Sequence, residues 1–195
     1  MRRARWCAGG SRYGLAWTSM HLRAAALESL LEWDRRWVRR LNASVGVASV
    51  RGLFRFVSRL GDGVFWYSVM LALIITQGRP GLDIALRMLA AGMIGFVVYK
   101  LLKSKTGRPR PYQVLGGIRA EIDPLDAYSF PSGHTLHAVA FTLVAVSHFP
   151  ALASVLVPFT LLVALSRVIL GLHYPSDVLA GAAIGALVAQ VVLAL

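Results

Sequence analysis

The 195-residue sequence predicts an all-α fold, a polytopic membrane helical bundle of about five spans behind an N-terminal amphipathic arm. Three observations carry this. Hydrophobic residues make up 56% of the chain against 15% charged, and mean hydropathy is +0.60, beyond the usual balance of a water-soluble domain. Residues 127–166 contain no Asp, Glu, Lys or Arg, and neither do residues 178–195. These apolar runs are continuous rather than alternating, which argues against a β-barrel.

Residues 1–24 are Arg-rich and without periodicity, so they read as a flexible extension. Over 25–60, charges interleave with apolar residues. Leu27, Leu30, Leu31, Trp33, Trp37 and Leu41 can share one helical side, with Arg35, Arg36, Arg39 and Arg40 on others; Arg51, Arg55 and Arg59 then repeat every fourth residue. Two amphipathic helices lying in the headgroup zone fit this pattern, with a solvated helix packed on the bundle as the alternative, and neither is apolar enough to span. Residues 61–195 form the transmembrane domain. After Gly61-Asp62-Gly63, a first span over 64–78 opens on Phe65, Trp66 and Tyr67, the aromatic belt of a membrane entry. A turn with Pro80 leads to a second span over 82–102. The polar, proline-bearing stretch 103–131 is a loop outside the hydrocarbon. Pro150 divides the following apolar run into spans at 133–149 and 151–171, and 178–195 supplies the fifth.

Twenty-one Lys and Arg against nine Asp and Glu give a net charge of +12. In a polar chain this would suggest nucleic acid. In an apolar chain it points to a bilayer's anionic headgroups or a phosphate-bearing substrate, and no nucleic-acid partner is expected. Cys7 is the single cysteine, which excludes an internal disulfide and a multi-cysteine metal site.

Counting crossings brings the end of span two, the start of three, the end of four and the start of five to one membrane face. Lys103, Arg110 and Arg167 meet there as fixed positive charges whose donors match phosphate oxygens. Ser132 and Gly133 begin a helix, where backbone N–H groups and the helix dipole favour an anion. Of two histidines, His134 and His173, one can attack phosphorus while the other protonates the departing oxygen. Asp177, four residues after His173, is spaced to orient an imidazole. Each residue alone has a plainer reading: Lys103, Lys105, Arg108 and Arg110 as a basic loop on anionic lipid, Ser132 as an N-cap, Arg167 as a snorkelling cation, His173 and Asp177 as a turn pair. Their convergence at one face argues against all of these at once. His137 reads as an interhelical hydrogen-bonding residue, and His148 falls at the opposite face.

The patterns K-x6-R-P (Lys103, Arg110, Pro111), P-S-G-H (Pro131 to His134) and S-R-x5-H-x3-D (Ser166, Arg167, His173, Asp177) resemble the three signature motifs of the type 2 phosphatidic acid phosphatase superfamily, with no motif position altered. The resemblance implies cofactor-free, metal-independent hydrolysis of a membrane-lipid phosphomonoester or diphosphate through a phosphohistidine. By position, His173 is the expected nucleophile, Asp177 its partner and His134 the acid, with Lys103, Arg110, Ser132, Gly133 and Arg167 holding the phosphoryl group. Three cations around His134, His173 and Asp177 also disfavour a divalent metal. The expected substrates are a polyprenyl diphosphate or a phosphatidate-type lipid. The rival from another class, a non-catalytic anionic-lipid-binding protein retaining the fold, predicts altered motif positions. Many bacterial members of the family have six spans, and here the amphipathic arm stands in place of the first. The family's usual site faces outward from the cell's inner membrane, whereas the arm's arginines point the same face to the cytoplasm by the positive-inside rule.

Overall fold

A computed structural model describes residues 11–195 except residue 125, with side chains from residue 25 onward. Helix α1 (Ser11–Asn42) passes through a short 3-10 turn (Ala43–Gly46) to α2 (Ala48–Gly61), and α3 (Val64–Gln77) and α4 (Arg79–Thr106) form a hairpin. A one-turn helix, α5 (Pro111–Val114), precedes the polar loop; α6 (Gly133–His148), α7 (Ala153–Ile169) and α8 (Pro175–Leu193) complete the bundle. The stretch expected to be a flexible extension is helical from Ser11, while residues 1–10 lie outside the described residues.

All five apolar segments are helices, and the protein is a multi-pass membrane protein. Among the described residues three stretches, 79–114, Pro150–Ile169 and Pro175–Leu193, are each long and apolar enough to cross a bilayer, and α2 with α3, bent by 53°, reach that length and apolarity only as a pair. The expected third span, α6, has 16 residues and a length of about 24 Å, short of a hydrocarbon core of about 30 Å. It needs no more, because α4, α7 and α8 surround it and its first turn belongs to the polar site.

Apolar burial gains little when the alternative solvent is lipid, so close helix approach must hold the bundle. Gly181 and Gly185, one turn apart on α8, face α6: a Cβ at Gly181 would lie 2.5 Å from the Ser132 carbonyl oxygen, and one at Gly185 2.3 Å from that of Leu136. Between α6 and α7, Thr142 and Thr160 share a hydrogen bond of 2.6 Å, and Thr160 also donates to the Ala138 carbonyl. Trp66, Met70, Ile84, Met88, Val144, Leu156 and Val163 fill the space between. Leu71, Ile75, Leu86, Met93, Leu161, Leu187 and Val191 lie exposed on the perimeter, where lipid replaces water.

The arm is bound to this bundle rather than laid beside it. On α1, Asp34, Val38 and Asn42 are buried while Leu27, Leu30, Trp33 and Trp37 stay exposed as an apolar face suited to the membrane surface. Asn42 donates to the carbonyls of Arg119 and Ile169 and accepts from the Arg119 N–H, tying α1 to the polar loop and to the end of α7. Gly171, with φ +74°, makes this junction possible, since a Cβ there would meet the Arg119 carbonyl at 2.6 Å. Helix α2 buries Phe54, Val57 and Ser58.

Replacing Gly185 with Val should force α8 away from α6 and lower stability by about 1–3 kcal/mol. Gly52→Ala, where nothing lies within 4 Å, should not lower it. Denaturation midpoints in detergent micelles test the pair.

Candidate active site

Five chain segments end around one cavity of roughly 300 Å³. Its polar lining comprises Lys103, Arg110, Asp126, His134, His137, Arg167 and His173, with Asp62 at the α2–α3 break and Gly133 at the start of α6. Trp66, Tyr67, Phe96, Tyr99 and Phe141 form its apolar wall.

Helix α4 ends at Gly107, whose left-handed φ of 56° stops the helix just after Lys103 has been delivered to the site. Lys103 Nζ lies 2.6 Å from both oxygens of Asp126 and donates to the Tyr128 carbonyl at 3.1 Å. Arg110 donates from Nη2 to Asp126 Oδ1 at 2.8 Å, from Nε to the Asp126 carbonyl at 3.1 Å, and from Nη1 to the Leu172 carbonyl at 2.9 Å. Burial pushes the Asp126 carboxyl up, but Lys103 and Arg110 outweigh it and hold the group below the ordinary carboxylate range. Arg167, 3% exposed, donates from Nη1 to Ser58 Oγ on α2, and its buried Nε has no partner among the described residues. A buried guanidinium without a paired carboxylate is costly, and an anion in the cavity would complete it.

The two imidazoles differ in state. Arg110 Nη1, which can only donate, lies 3.2 Å from His173 Nε2, so Nε2 carries a lone pair and the proton sits on Nδ1. Burial, followed by the charges of Arg167, Arg110 and Lys103, holds this imidazole well below the ordinary histidine range, and it is neutral at pH 7. On His134 the bonded atom is Nε2 and its partner is Asp62 Oδ1; a carboxylate only accepts, so Nε2 carries a proton.

Six of the eight expected site residues line the cavity, and two stand behind it. Ser132 is fully buried; its hydroxyl pairs with Thr135 at 3.0 Å and its N–H donates to the Asp177 carbonyl at 3.0 Å. The expectation that the Ser132 N–H points at an anion is therefore corrected, because that donor fastens the start of α6 to the start of α8. Asp177 is also fully buried, and its Oδ2 lies 3.7 Å from His173 Nδ1, beyond hydrogen-bonding distance. It accepts from the Tyr174 N–H at 2.8 Å and from Arg108 at 2.5 Å, and among the described residues His173 Nδ1 has no hydrogen-bond partner. His137 bridges helices, with Nδ1 2.8 Å from the Gly133 carbonyl and Nε2 3.1 Å from that of Gly92 on α4; His148 sits at the far end of α6.

A second, apolar groove of roughly 440 Å³ adjoins the cavity. Tyr67, Phe96 and Phe141 belong to both, and Met70, Leu89, Gly92, Met93 and Val97 continue the groove between α3 and α4 to the perimeter.

The PAP2 superfamily model matches residues 81–195, more than half of the chain. The chain belongs to the PAP2 superfamily. Like its relatives it is a phosphatase. It is 29% identical over 166 residues to a lipid A 1-phosphatase of Rhizobium johnstonii, covering 75% of this chain and 68% of that one. To an undecaprenyl-diphosphatase of Sulfolobus acidocaldarius it is 30% identical over 141 residues, covering 71% and 67%. The crystal structure of Aquifex aeolicus LpxE matches with a TM-score of 0.73 at 26% identity, over 84% of this chain and 96% of that one.

The PAP2 match begins after Asp62 and Ser58, yet both reach the site from α2 and its break. Neither they nor Asp126 and Arg108 were singled out as site residues from sequence. Asp62 had one visible signal, a lone carboxylate between two glycines at a helix break; Asp126 had none, because a loop carries no periodicity.

Because the folded His173 pKa is depressed, the unfolded chain takes up a proton that the folded chain refuses. Stability is full above the unfolded value and should fall as pH drops below about 6.5 toward the folded value. Denaturation curves across that window should flatten in His173→Asn.

Proposed function

We propose that this PAP2 phosphatase removes a terminal phosphate from a membrane lipid, a polyprenyl diphosphate or a phosphatidate-type lipid, without metal and through a phosphohistidine. The observation that carries the lipid reading is the join between the cationic cavity and the apolar groove, which gives a phosphate and a hydrocarbon chain adjoining places. The lipid A 1-phosphatase and undecaprenyl-diphosphatase relatives support the same substrate class.

In this reading Lys103, Arg110, Arg167 and the Gly133 amide hold the phosphoryl oxygens, with Arg110 turning from His173 Nε2 to the substrate. The freed Nε2 lone pair attacks phosphorus; the N–P bond forms as the bond to the leaving oxygen breaks, and His134, held as imidazolium by the bound phosphate and Asp62, gives that oxygen a proton and becomes neutral. Asp177 approaches from 3.7 Å to accept the Nδ1–H as the imidazole becomes cationic. Water then attacks phosphorus, its proton passes to His134, the N–P bond breaks and inorganic phosphate leaves. Ser132 contributes by fixing the first turn of α6 rather than by touching phosphate. In this reading the site faces outward from the cell's inner membrane, as the family resemblance implies.

Purified protein in detergent with EDTA should release phosphate from undecaprenyl diphosphate or phosphatidic acid, and His173→Ala should abolish release while retaining substrate binding. Turnover of His173→Ala at the parent rate would remove the nucleophile assignment. Arg167→Ala should lower kcat about 100-fold, the usual loss for one strong oxyanion donor.

A further inference from the structure

Arg108 lies within the basic run 103–110, where its plain sequence reading is a loop cation on anionic lipid. Its guanidinium does not line the cavity. It stacks over the Tyr174 ring at 4.1 Å and donates from Nη1 to Asp177 Oδ1 at 2.5 Å and Ser176 Oγ at 2.8 Å, and from Nη2 to Asp34 Oδ2 at 2.7 Å. Asp34 is a fully buried carboxylate on α1, 142 residues from Ser176, whose N–H donates to its Oδ1 at 2.9 Å and whose hydroxyl reaches its Oδ2 at 2.5 Å. One planar fork thus joins the arm, the polar loop and the first turn of α8.

We propose that Arg108, held from behind by Asp34, is a positioning residue that aims Asp177 at His173, so that the N-terminal arm is part of the catalytic apparatus. The inference rests on the phosphohistidine reading above. Its physical basis is geometry and charge. The planar guanidinium spans two carboxylates, giving one N–H to Asp177 Oδ1 and another to Asp34 Oδ2, a fixed fork that a lysine cannot reproduce. Asp34 and Asp177 carry two negative charges against the one positive charge of Arg108, so the cluster keeps a net negative charge beside His173. That charge matters when Nε2 gives its lone pair to phosphorus and the imidazole becomes cationic. Without Asp34, Arg108 would cancel Asp177 alone and would lose the anchor that sets its direction.

The test uses full-length protein in detergent micelles with dioleoyl phosphatidic acid and undecaprenyl diphosphate as substrates. Asp34→Asn should lower kcat about tenfold with KM unchanged, because the cluster touches neither phosphate nor lipid chain. Arg108→Lys should do the same. In an Arg108→Gln background, Asp34→Asn should have no further effect, since its influence passes through that guanidinium. Asp34→Glu, which keeps the charge, should recover part of kcat. A loss carried by KM, an unchanged kcat in Asp34→Asn, or an equal loss in the Arg108→Gln background would overturn the proposal. Should Asp34→Asn fail to fold, Arg108→Lys alone decides by the same kcat-against-KM reading. Failure of the parent protein to release phosphate from either lipid would instead count against the lipid phosphatase reading.

Discussion

Three cations, Lys103, Arg110 and Arg167, face one small space at the end of an apolar bundle, and the surrounding structure serves to keep them there. Like charges drawn from water into a protein interior repel one another and lose their hydration, so each must be held by something that cannot move away. Asp126 holds two of them by ion pairs. Among the described residues Arg167 is held by the Ser58 hydroxyl, with a buried donor left over. Polar groups fix the geometry, yet the positive charge is not cancelled, which is the condition for binding an anion strongly and for stabilising one that gains charge during a reaction.

The bundle beneath meets this demand through backbone proximity. Gly181 and Gly185 let α8 lie against the carbonyls of α6, and the Ser132 N–H joins the first turns of the two helices. The imidazole on the link before α8 and the imidazole on α6 therefore belong to one rigid unit. The arm adds a second constraint from outside, through Ser58 against Arg167 and Asp34 against Arg108. Residues that hydropathy separates into arm and bundle are, at the site, neighbours.

How much of this was legible depended on whether a residue's role follows from spacing. Continuous apolar runs locate the helices, and strict motif spacing located Lys103, Arg110, His134, Arg167 and His173, because crossings of similar length return every second span end to the same face. Span count was less legible. Hydropathy marks α6 as a crossing, but its 16 residues show that an apolar helix packed among three others need not match the bilayer. Counter-charges were least legible. Asp126 sits in a loop, Asp34 on a helix whose periodicity reports only its apolar side, and their partners lie 16 and 74 residues away. Likewise, the spacing of Asp177 from His173 suggested a direct hydrogen bond, whereas Arg108 fixes Oδ1 and the Tyr174 N–H takes Oδ2, the oxygen that faces His173 Nδ1 from 3.7 Å.

The groove between α3 and α4 runs to the perimeter of the bundle, not to its water-facing end. An opening that faces sideways makes encounter a two-dimensional process, governed by the mole fraction of substrate in the lipid layer rather than by its amount per volume. It also separates the traffic of the proposed reaction: the greasy product can slide back along the groove while the small inorganic ion departs into water, so neither blocks the other's exit.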